Sequence, residues 1–251
     1  MTYCVGMTLN RGVLFVSDTR TNAGLDNIST FRKMTIWEEP GDRVITLMSA
    51  GNLATTQAVV SLLDERSKSP GDRTPSLLAA PSMFQAARMV ADTLHEVIDK
   101  HRSGGQQASS TFNATLILGG QIRGAPPRLF LIYPEGNFIE DGADTPFFQI
   151  GETKYGRPIL VRAYDPDMSF EAAMKLMLVS FDSTVKANLS VGAPFDYHFY
   201  ETDSLNTGPL GRIEADDPYF QSVSVGWGDA LKEALDSLPD FTQQGRDPTD
   251  G

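Results

Sequence analysis

The chain begins with a segment that has the pattern of a β-hairpin. Residues 2–9 and 13–20 are rich in strand formers, and the short loop Asn10-Arg11-Gly12 joins them. A three-residue loop that ends in glycine is typical of a tight hairpin, because glycine takes the left-handed conformation without steric cost. The sequence therefore predicts that the first residues form an antiparallel strand pair.

The register of this hairpin decides which side chains meet at its open end. If Leu9 faces Val13, Arg20 lies opposite Thr2, and the even-numbered side chains share one face. Thr2, Asp18 and Arg20 are then expected to converge. The alternative is that Asp18 and Arg20 form only a surface ion pair, which contributes little to stability.

Thr2 stands directly behind Met1, so removal of one residue would leave a hydroxyl and a free α-amine on the same residue. The reference pKa of an α-amine is about 7.7 to 8.0, so part of it is neutral at pH 7 and able to accept the hydroxyl proton. A threonine hydroxyl paired with its own amine is a known arrangement for covalent catalysis. Threonine is also a common second residue, and Thr2 taken alone indicates nothing.

Two segments further along supply candidate partners for Thr2. Lys33 begins a predicted strand at residues 33–37, where it could hold or move a proton near the Thr2 hydroxyl. A second predicted strand, at residues 42–48, runs into Ser49-Ala50-Gly51 and then a predicted helix at 53–66. The Gly51 N–H is a candidate oxyanion donor. The alternative is a plain strand-to-helix turn in which Asn52 is the helix N-cap.

Together these residues resemble the β-subunits of proteasomes and the related bacterial peptidase HslV, which are N-terminal nucleophile hydrolases. Residues 17–24 and 27–33 are most similar to the bacterial branch called Anbu, and the resemblance extends to about residue 239. It implies an α+β fold, a four-layer αββα sandwich. It also implies that Thr2 is the nucleophile, that Asp18 and Lys33 support it, and that Gly51 is an oxyanion donor. The implied substrate is a peptide or protein, and the implied assembly is a ring or ring-like homo-oligomer.

The chain departs from the proteasome pattern at two places. The family's Gly-Ser-Gly turn corresponds here to residues 149–156, and Glu152 stands in the place of the serine. A carboxylate there would raise the pKa of the α-amine and reduce its neutral fraction near pH 7. Ordinary peptide hydrolysis is therefore expected to be slow, or the substrate unusual.

The second departure lies at residues 187–192, which resemble the family element Asp-x-x-Ser-Gly-Gly. Ser190 and Gly192 fit this element, but the position of the aspartate falls on Ala187. Asn188 or Asp182 could replace it, and the sequence leaves both open. Asn188 to Gly192 also narrowly misses the Gly-x-Ser-x-Gly motif of serine hydrolases, but a helix rather than a strand is predicted before it.

The composition favours an enzyme over a nucleic-acid or membrane protein. The net charge is −11 with a pI near 4.7, which argues against binding to a phosphate backbone. No apolar run reaches about 18 residues and no signal peptide is indicated, so we expect a cytoplasmic protein. The single cysteine, Cys4, is consistent with a reducing compartment. The three histidines are scattered, so neither a metal site nor a cofactor is predicted.

The remaining sequence alternates helix and strand and predicts one domain at residues 1–239, followed by a disordered tail at 240–251. A polar loop is predicted at 21–30, and further loops at 67–81 and 103–110. Helices are predicted at 82–100, 155–163, 169–189 and 227–238, the third capped by Ser169. Strands are predicted at 111–118, 128–133, 138–140, 195–201 and 220–225, and another that ends at Gly151.

Two other functions remain open. The chain could be a non-catalytic assembly scaffold, as proteasome α-subunits are, in which case Met1 would be retained. It could also be a specialised amidase or acyl-transfer enzyme on the same fold, an option indicated by Glu152. The sequence does not identify an unfoldase or adaptor partner.

Overall fold

The computed structural model describes residues 1–22, 28–68, 76–103 and 112–241. The α-helices are α1 (Leu53–Lys68), α2 (Met83–Ser103), α3 (Arg157–Ala163), α4 (Phe170–Ala187) and α5 (Pro218–Asp236). The first six strands are β1 (Tyr3–Leu9), β2 (Gly12–Asp18), β3 (Arg20–Asn22), β4 (Ile28–Thr30), β5 (Met34–Glu39) and β6 (Arg43–Gly51). The other six are β7 (Ala114–Ile122), β8 (Arg128–Ile132), β9 (Phe138–Glu140), β10 (Phe147–Gly151), β11 (Phe195–Glu201) and β12 (Leu210–Ile213).

Two five-stranded antiparallel sheets form the middle of the molecule. Their strand orders are β10-β1-β2-β11-β12 and β5-β6-β7-β8-β9. Buried side chains of both sheets, among them Phe15, Met48, Ile117 and Phe148, form the core between them. Burial on both faces explains why β1 and β2 read as almost continuous apolar runs.

Each sheet carries a helical layer on its outer face. The helices α1 and α2 pack on the second sheet through residues such as Val59, Val90 and Leu94. The helices α3, α4 and α5 cover the first sheet, where Phe181 of α4 lies against Tyr3 and Phe195. The layer order is helix, sheet, sheet, helix, which confirms the predicted α+β sandwich of four layers.

The predicted register of the first hairpin is wrong by one residue. Leu9 pairs with Gly12, and Cys4 pairs with Ser17, so the loop contains only Asn10 and Arg11. Gly12 belongs to β2, where it pairs with Glu201 of the neighbouring strand β11. Only glycine fits this close approach, because an added Cβ would stand 2.0 Å from the Tyr200 carbonyl oxygen. The argument from a shared even-numbered face therefore fails, since a shift of one residue reverses the face.

Three further predictions need correction. Residues 21–30 were expected to be a loop, but β3 and β4 pair there, and residues 23–27 lie outside the described residues. The predicted strand at 220–225 is wrong because α5 already begins at Pro218. The Asp217 side chain caps this helix by accepting a hydrogen bond of 3.0 Å from the Phe220 N–H. The short strand β12 was not predicted at all.

The other predicted elements are confirmed with shifts of a few residues at their ends, except that the helix predicted at 227–238 begins nine residues earlier, at Pro218. Ser169 caps α4 through a hydrogen bond from the Ala172 N–H at 3.2 Å, as expected. Of the predicted loop at 67–81, residues 69–75 lie outside the described residues, residues 67 and 68 belong to the end of α1, and Leu77–Ala79 form a short 3-10 helix. The predicted loop at 103–110, apart from residue 103, and the tail from residue 242 also lie outside the described residues. None of the helices within the described residues combines the length and the apolar character that a membrane span requires.

Candidate active site

The ends of several strands meet around Thr2 at one end of the sandwich. Thr2 precedes β1, Lys33 precedes β5, and Gly51 and Gly151 close β6 and β10. These four residues line one cavity of about 440 Å³ together with Met1, Arg20, Thr21, Phe31, Ser49, Ala50, Leu53 and Thr56. The structure therefore brings the predicted nucleophile, lysine and glycine to a single site.

The backbone around Thr2 is held from two sides. The Thr2 carbonyl oxygen accepts a hydrogen bond of 2.7 Å from the Glu152 N–H, and the Tyr3 N–H donates to Asp18 Oδ1 at 2.9 Å. Gly151 must be glycine here, because its φ is +84° and a Cβ would stand 1.9 Å from the Thr2 carbonyl oxygen. The position of Thr2 is thus fixed by both neighbours of β1.

Asp18 and Lys33 form a buried ion pair beside Thr2. Lys33 Nζ lies 2.6 Å from Asp18 Oδ1 and donates a second hydrogen bond of 2.8 Å to the Arg20 carbonyl oxygen. The Asp18 side chain is fully buried, and this burial raises the pKa of its carboxyl, while the Lys33 ammonium opposes the shift. Removing either partner would leave the other charge buried without compensation.

The chain in this structure carries Met1, so the nitrogen of Thr2 is an amide and the free α-amine belongs to Met1. Burial lowers the pKa of this amine. The Lys33 ammonium lowers it further, whereas the Asp18 carboxylate raises it. The surroundings of the chain start therefore favour a neutral amine, which is the form that accepts a proton.

Gly51 occupies a strained turn between β6 and α1. Its φ is +120°, and a Cβ there would stand 2.4 Å from the Asn113 carbonyl oxygen. Asn52 caps α1, since its Oδ1 accepts a hydrogen bond of 3.0 Å from the Thr55 N–H. The structural alternative for this turn is thus confirmed, while Gly51 also lines the cavity.

The turn after α4 contacts the site through its backbone and one side chain. Arg20 donates from Nη1 to the Leu189 carbonyl oxygen at 3.2 Å, and the Ser190 N–H donates to Asn188 Oδ1 at 3.0 Å. The Gly192 N–H also favours the charged form of the Asp18 carboxyl. Ser190 itself does not line the cavity, so its predicted place in the site rests on this turn alone.

Asn188, rather than Asp182, is the residue beside Glu152. Its Nδ2 lies 3.0 Å from Glu152 Oε2 and 3.7 Å from the sulfur of Met1. Asp182 instead lies 3.0 Å from the ammonium of Lys186, one turn along the same helix. The structure thus places Asn188, and not Asp182, next to Glu152 and Met1.

Tyr3 is a residue of this region that the sequence did not single out. Its fully buried hydroxyl lies 2.7 Å from Ser180 Oγ and accepts a hydrogen bond of 2.6 Å from Gln149 Nε2. Burial raises the pKa of Tyr3 to about 12. Nothing in the sequence links Tyr3 to Ser180, because the two residues meet only when α4 packs on the first sheet.

The site has no counterpart of a metal centre. Across residues 1–22, 28–68, 76–103 and 112–241, no three His, Cys, Asp or Glu side chains are grouped so that they could hold an ion. The chemistry available at the site is that of Thr2, the chain start and the buried charges next to them.

Comparison with known proteins agrees with this geometry. The family model described as proteasome subunit matches residues 2–194. A comparison with curated proteins gave no match. A Gly-1 mutant of Anbu from Hyphomicrobium sp. strain MC1 is 51% identical, with 97% of this chain and 100% of that chain covered and a TM-score of 0.89.

Two further solved structures match along almost their whole length. Anbu from Yersinia bercovieri is 47% identical, with 96% of this chain and 100% of that chain covered, and its TM-score is 0.89. The helical assembly of the Anbu complex from Pseudomonas aeruginosa is 44% identical, with 96% and 99% covered and a TM-score of 0.89. The chain therefore belongs to the proteasome subunit family and, within it, to the Anbu branch.

Proposed function

We propose that this protein is a threonine-type hydrolase that uses Thr2, exposed by removal of Met1, to cleave peptide bonds. The observation that carries the proposal is the buried Asp18–Lys33 pair, which lies beside Thr2 at the mouth of a cavity. A salt bridge with both side chains out of water is costly to build and is a weak source of stability. Perturbed charges of this kind cluster at functional sites.

In the proposed reaction, Thr2 Oγ attacks the carbonyl carbon of the substrate while the Thr2 α-amine takes the hydroxyl proton. The Gly51 N–H stabilises the negative oxygen of the tetrahedral intermediate. The C–N bond then breaks, and the leaving nitrogen takes the proton back from the amine. A water molecule, activated by the same amine, cleaves the acyl ester and releases the carboxylic acid product.

We further propose that the active form is a homo-oligomer in the cytoplasm. The solved structure from Pseudomonas aeruginosa is described as a helical assembly of the Anbu complex, and this chain is 44% identical to it. Cys4 is buried and unpaired, which fits a reducing compartment. Light scattering of the purified protein is expected to give a mass several times that of one chain.

The decisive experiment is intact mass spectrometry before and after incubation with a peptide epoxyketone, a reagent that needs a hydroxyl and a free amine on one residue. Loss of Met1 and a stable adduct are expected. Thr2→Ala should abolish both the adduct and peptide hydrolysis, whereas Thr145→Ala, a change of an exposed threonine, should retain both. Retention of Met1 without an adduct would refute the hydrolase and favour a non-catalytic scaffold.

A second candidate, a specialised amidase or acyl-transfer enzyme, is favoured by Glu152. Its side chain is buried in the place where the family pattern has a serine, so the site differs from that of a general protease. Panels of protein, isopeptide and small-amide substrates distinguish the two functions. Cleavage of small amides without cleavage of peptides would favour the second.

A further inference from the structure

The helical layer on the outer face of the first sheet contains an open groove that is separate from the Thr2 cavity. The helices α3, α4 and α5 frame it, and its volume is about 860 Å³. Its lining is mostly apolar and includes Ile159 of α3, Leu176 and Val179 of α4, and Trp227 and Leu231 of α5. A contiguous apolar surface on the outside of a protein indicates a contact with another molecule.

Two cations and one unused hydrogen-bond donor define the chemistry of this groove. Arg162 and Lys175 both line it, and neither forms an ion pair with another side chain among the described residues. The indole N–H of Trp227 is shielded from solvent and has no acceptor within the same part of the chain. A buried donor without an acceptor costs free energy. The groove therefore fits an apolar occupant that also carries negative charge and hydrogen-bond acceptors.

The far end of α5 presents an apolar stripe to solvent. Every residue from 229 to 241 is exposed, so the last two turns of the helix are not covered by any other described part of the chain. Leu231 and Leu235 continue, at spacings of four residues, the stripe that Trp227 begins, and Leu238 follows at the helix end. Leu235 is 70% exposed and Leu238 63%. Helices are stabilised mainly by the packing of such a stripe, so this end of α5 requires a partner.

The charges beside this stripe are opposite to those of the groove. Glu233 and Asp236 have no cationic partner among the described residues, whereas Lys232 Nζ lies 3.1 Å from Asp229 Oδ1. A straight helix cannot fold back into a groove that it frames, so the stripe of one copy fits the groove of another copy. Residues 242–251 are a poor occupant, because they contain no leucine, isoleucine, valine, methionine or aromatic residue.

We propose that two copies of this chain associate through α5, with the projecting end of α5 from each copy lying in the groove of the other. This inference rests on the proposed homo-oligomer and specifies one of its contacts, but it does not depend on the chemistry of Thr2. An amphipathic helix in an apolar groove is a common mode of recognition. The same contact is made twice about a two-fold axis, and each time the acidic flank of the stripe faces Arg162 and Lys175.

The test reverses the charges of the groove and of the helix end in two separate proteins. The groove variant carries Arg162→Glu and Lys175→Glu, and the helix-end variant carries Glu233→Lys and Asp236→Lys. All four side chains are exposed in the single chain, so the fold is expected to persist. Each variant alone sets like charges against each other in both halves of the contact. The dissociation constant of the two copies should rise by about 100-fold or more, which light scattering at low ionic strength detects as a smaller mass than that of the wild type.

An equal mixture of the two variants is the matched control. In a mixed pair the acidic groove meets the basic helix end and the basic groove meets the acidic helix end, so the mass of the wild type is expected to return. Wild-type mass in either variant alone, or a mixture that stays dissociated, would overturn the contact between copies.

Epoxyketone labelling of Thr2 in the wild type separates this inference from the proposed hydrolase. If the mixture regains the wild-type mass while the wild type is not labelled, the contact stands and the hydrolase is refuted. If the wild type is labelled but is a monomer in light scattering, the hydrolase stands, and both the contact and the proposed homo-oligomer are refuted. If the wild type is a labelled oligomer whose mass neither variant changes, the hydrolase and the oligomer stand and this contact alone is refuted.

Discussion

The buried histidine of the core provides a quantitative test of the structure. His198 is fully buried between the sheets, its Nδ1 lies 2.9 Å from Thr46 Oγ1, and its ring stacks on Phe15. Burial lowers the pKa of His198 from 6.5 to about 4, while Glu38 opposes this shift weakly. We therefore expect His198 to make its own contribution to the pH dependence of the free energy of unfolding.

The sign and size of the effect follow from linkage. The pKa of the folded state lies below that of the unfolded chain, so the neutral ring stabilises the fold above pH 6.5, and this contribution is lost as the pH falls toward 4. With one pKa unit worth about 1.4 kcal/mol, the full loss is about 3 kcal/mol. Between pH 7.5 and pH 5.0 the loss amounts to about 2 kcal/mol.

The assay compares urea unfolding of the wild type and of His198→Gln at both pH values. Glutamine can still hydrogen-bond to Thr46 but does not titrate. Other groups, Asp18 included, titrate in both proteins, so the difference between them isolates His198. The protein concentration is held constant, because the stability of an oligomer depends on it.

The expected result is that the wild type loses about 2 kcal/mol more than His198→Gln when the pH falls from 7.5 to 5.0. Equal pH dependence in the wild type and His198→Gln would refute the assignment of a buried, neutral ring.

Three further changes probe the surroundings of Thr2. Gly151→Ala is expected to cost at least about 2 kcal/mol of unfolding free energy, because the added Cβ meets the Thr2 carbonyl at a positive φ; an unchanged urea midpoint would contradict the tight approach. Tyr3→Phe leaves Ser180 and Gln149 without their partner and should cost about 1 to 3 kcal/mol in the same measurement, and wild-type stability would argue against the buried network. Asp18→Asn should slow epoxyketone labelling of Thr2 by about 100-fold, because Lys33 loses its carboxylate partner; labelling at the wild-type rate would exclude a role for the pair.

Local sequence patterns were enough to predict most helices and strands of the sandwich and the proximity of several residues of the candidate site. Strand formers around short loops and the helical spacing of apolar residues located most of the helices and strands. The predicted convergence of Thr2, Asp18 and Arg20 is also found, although the register used to derive it is wrong. Asp18 reaches the chain start because its side chain accepts a hydrogen bond from the Tyr3 N–H.

Some of the errors arise where a distant part of the chain decides the local structure, as when Gly12 joins β2 and pairs with β11. The error at residues 220–225 has a local cause instead, since the Asp217 cap and Pro218 start α5 before the β-branched residues Val223 and Val225. The choice between Asn188 and Asp182 as the replacement for the family's aspartate could not be made from the sequence either. Asn188 and Asp182 lie near each other in sequence, but only the end of α4 reaches the chain start.

The position of β1 between two other strands of its sheet limits how the start of this chain can vary in length. Because β10 and β2 hold β1 on both sides, the strand cannot slide to absorb an inserted residue. One residue added between Thr2 and Tyr3 would displace the hydroxyl by about 3.3 Å and turn it to the opposite face. Removal of Thr2 together with Met1 would leave Tyr3 as the first residue of the chain. Its phenol hydroxyl is buried against Ser180, so the cavity would then have no hydroxyl at the chain start. The proposed activation of Thr2 would therefore depend on a cut at the Met1–Thr2 bond alone.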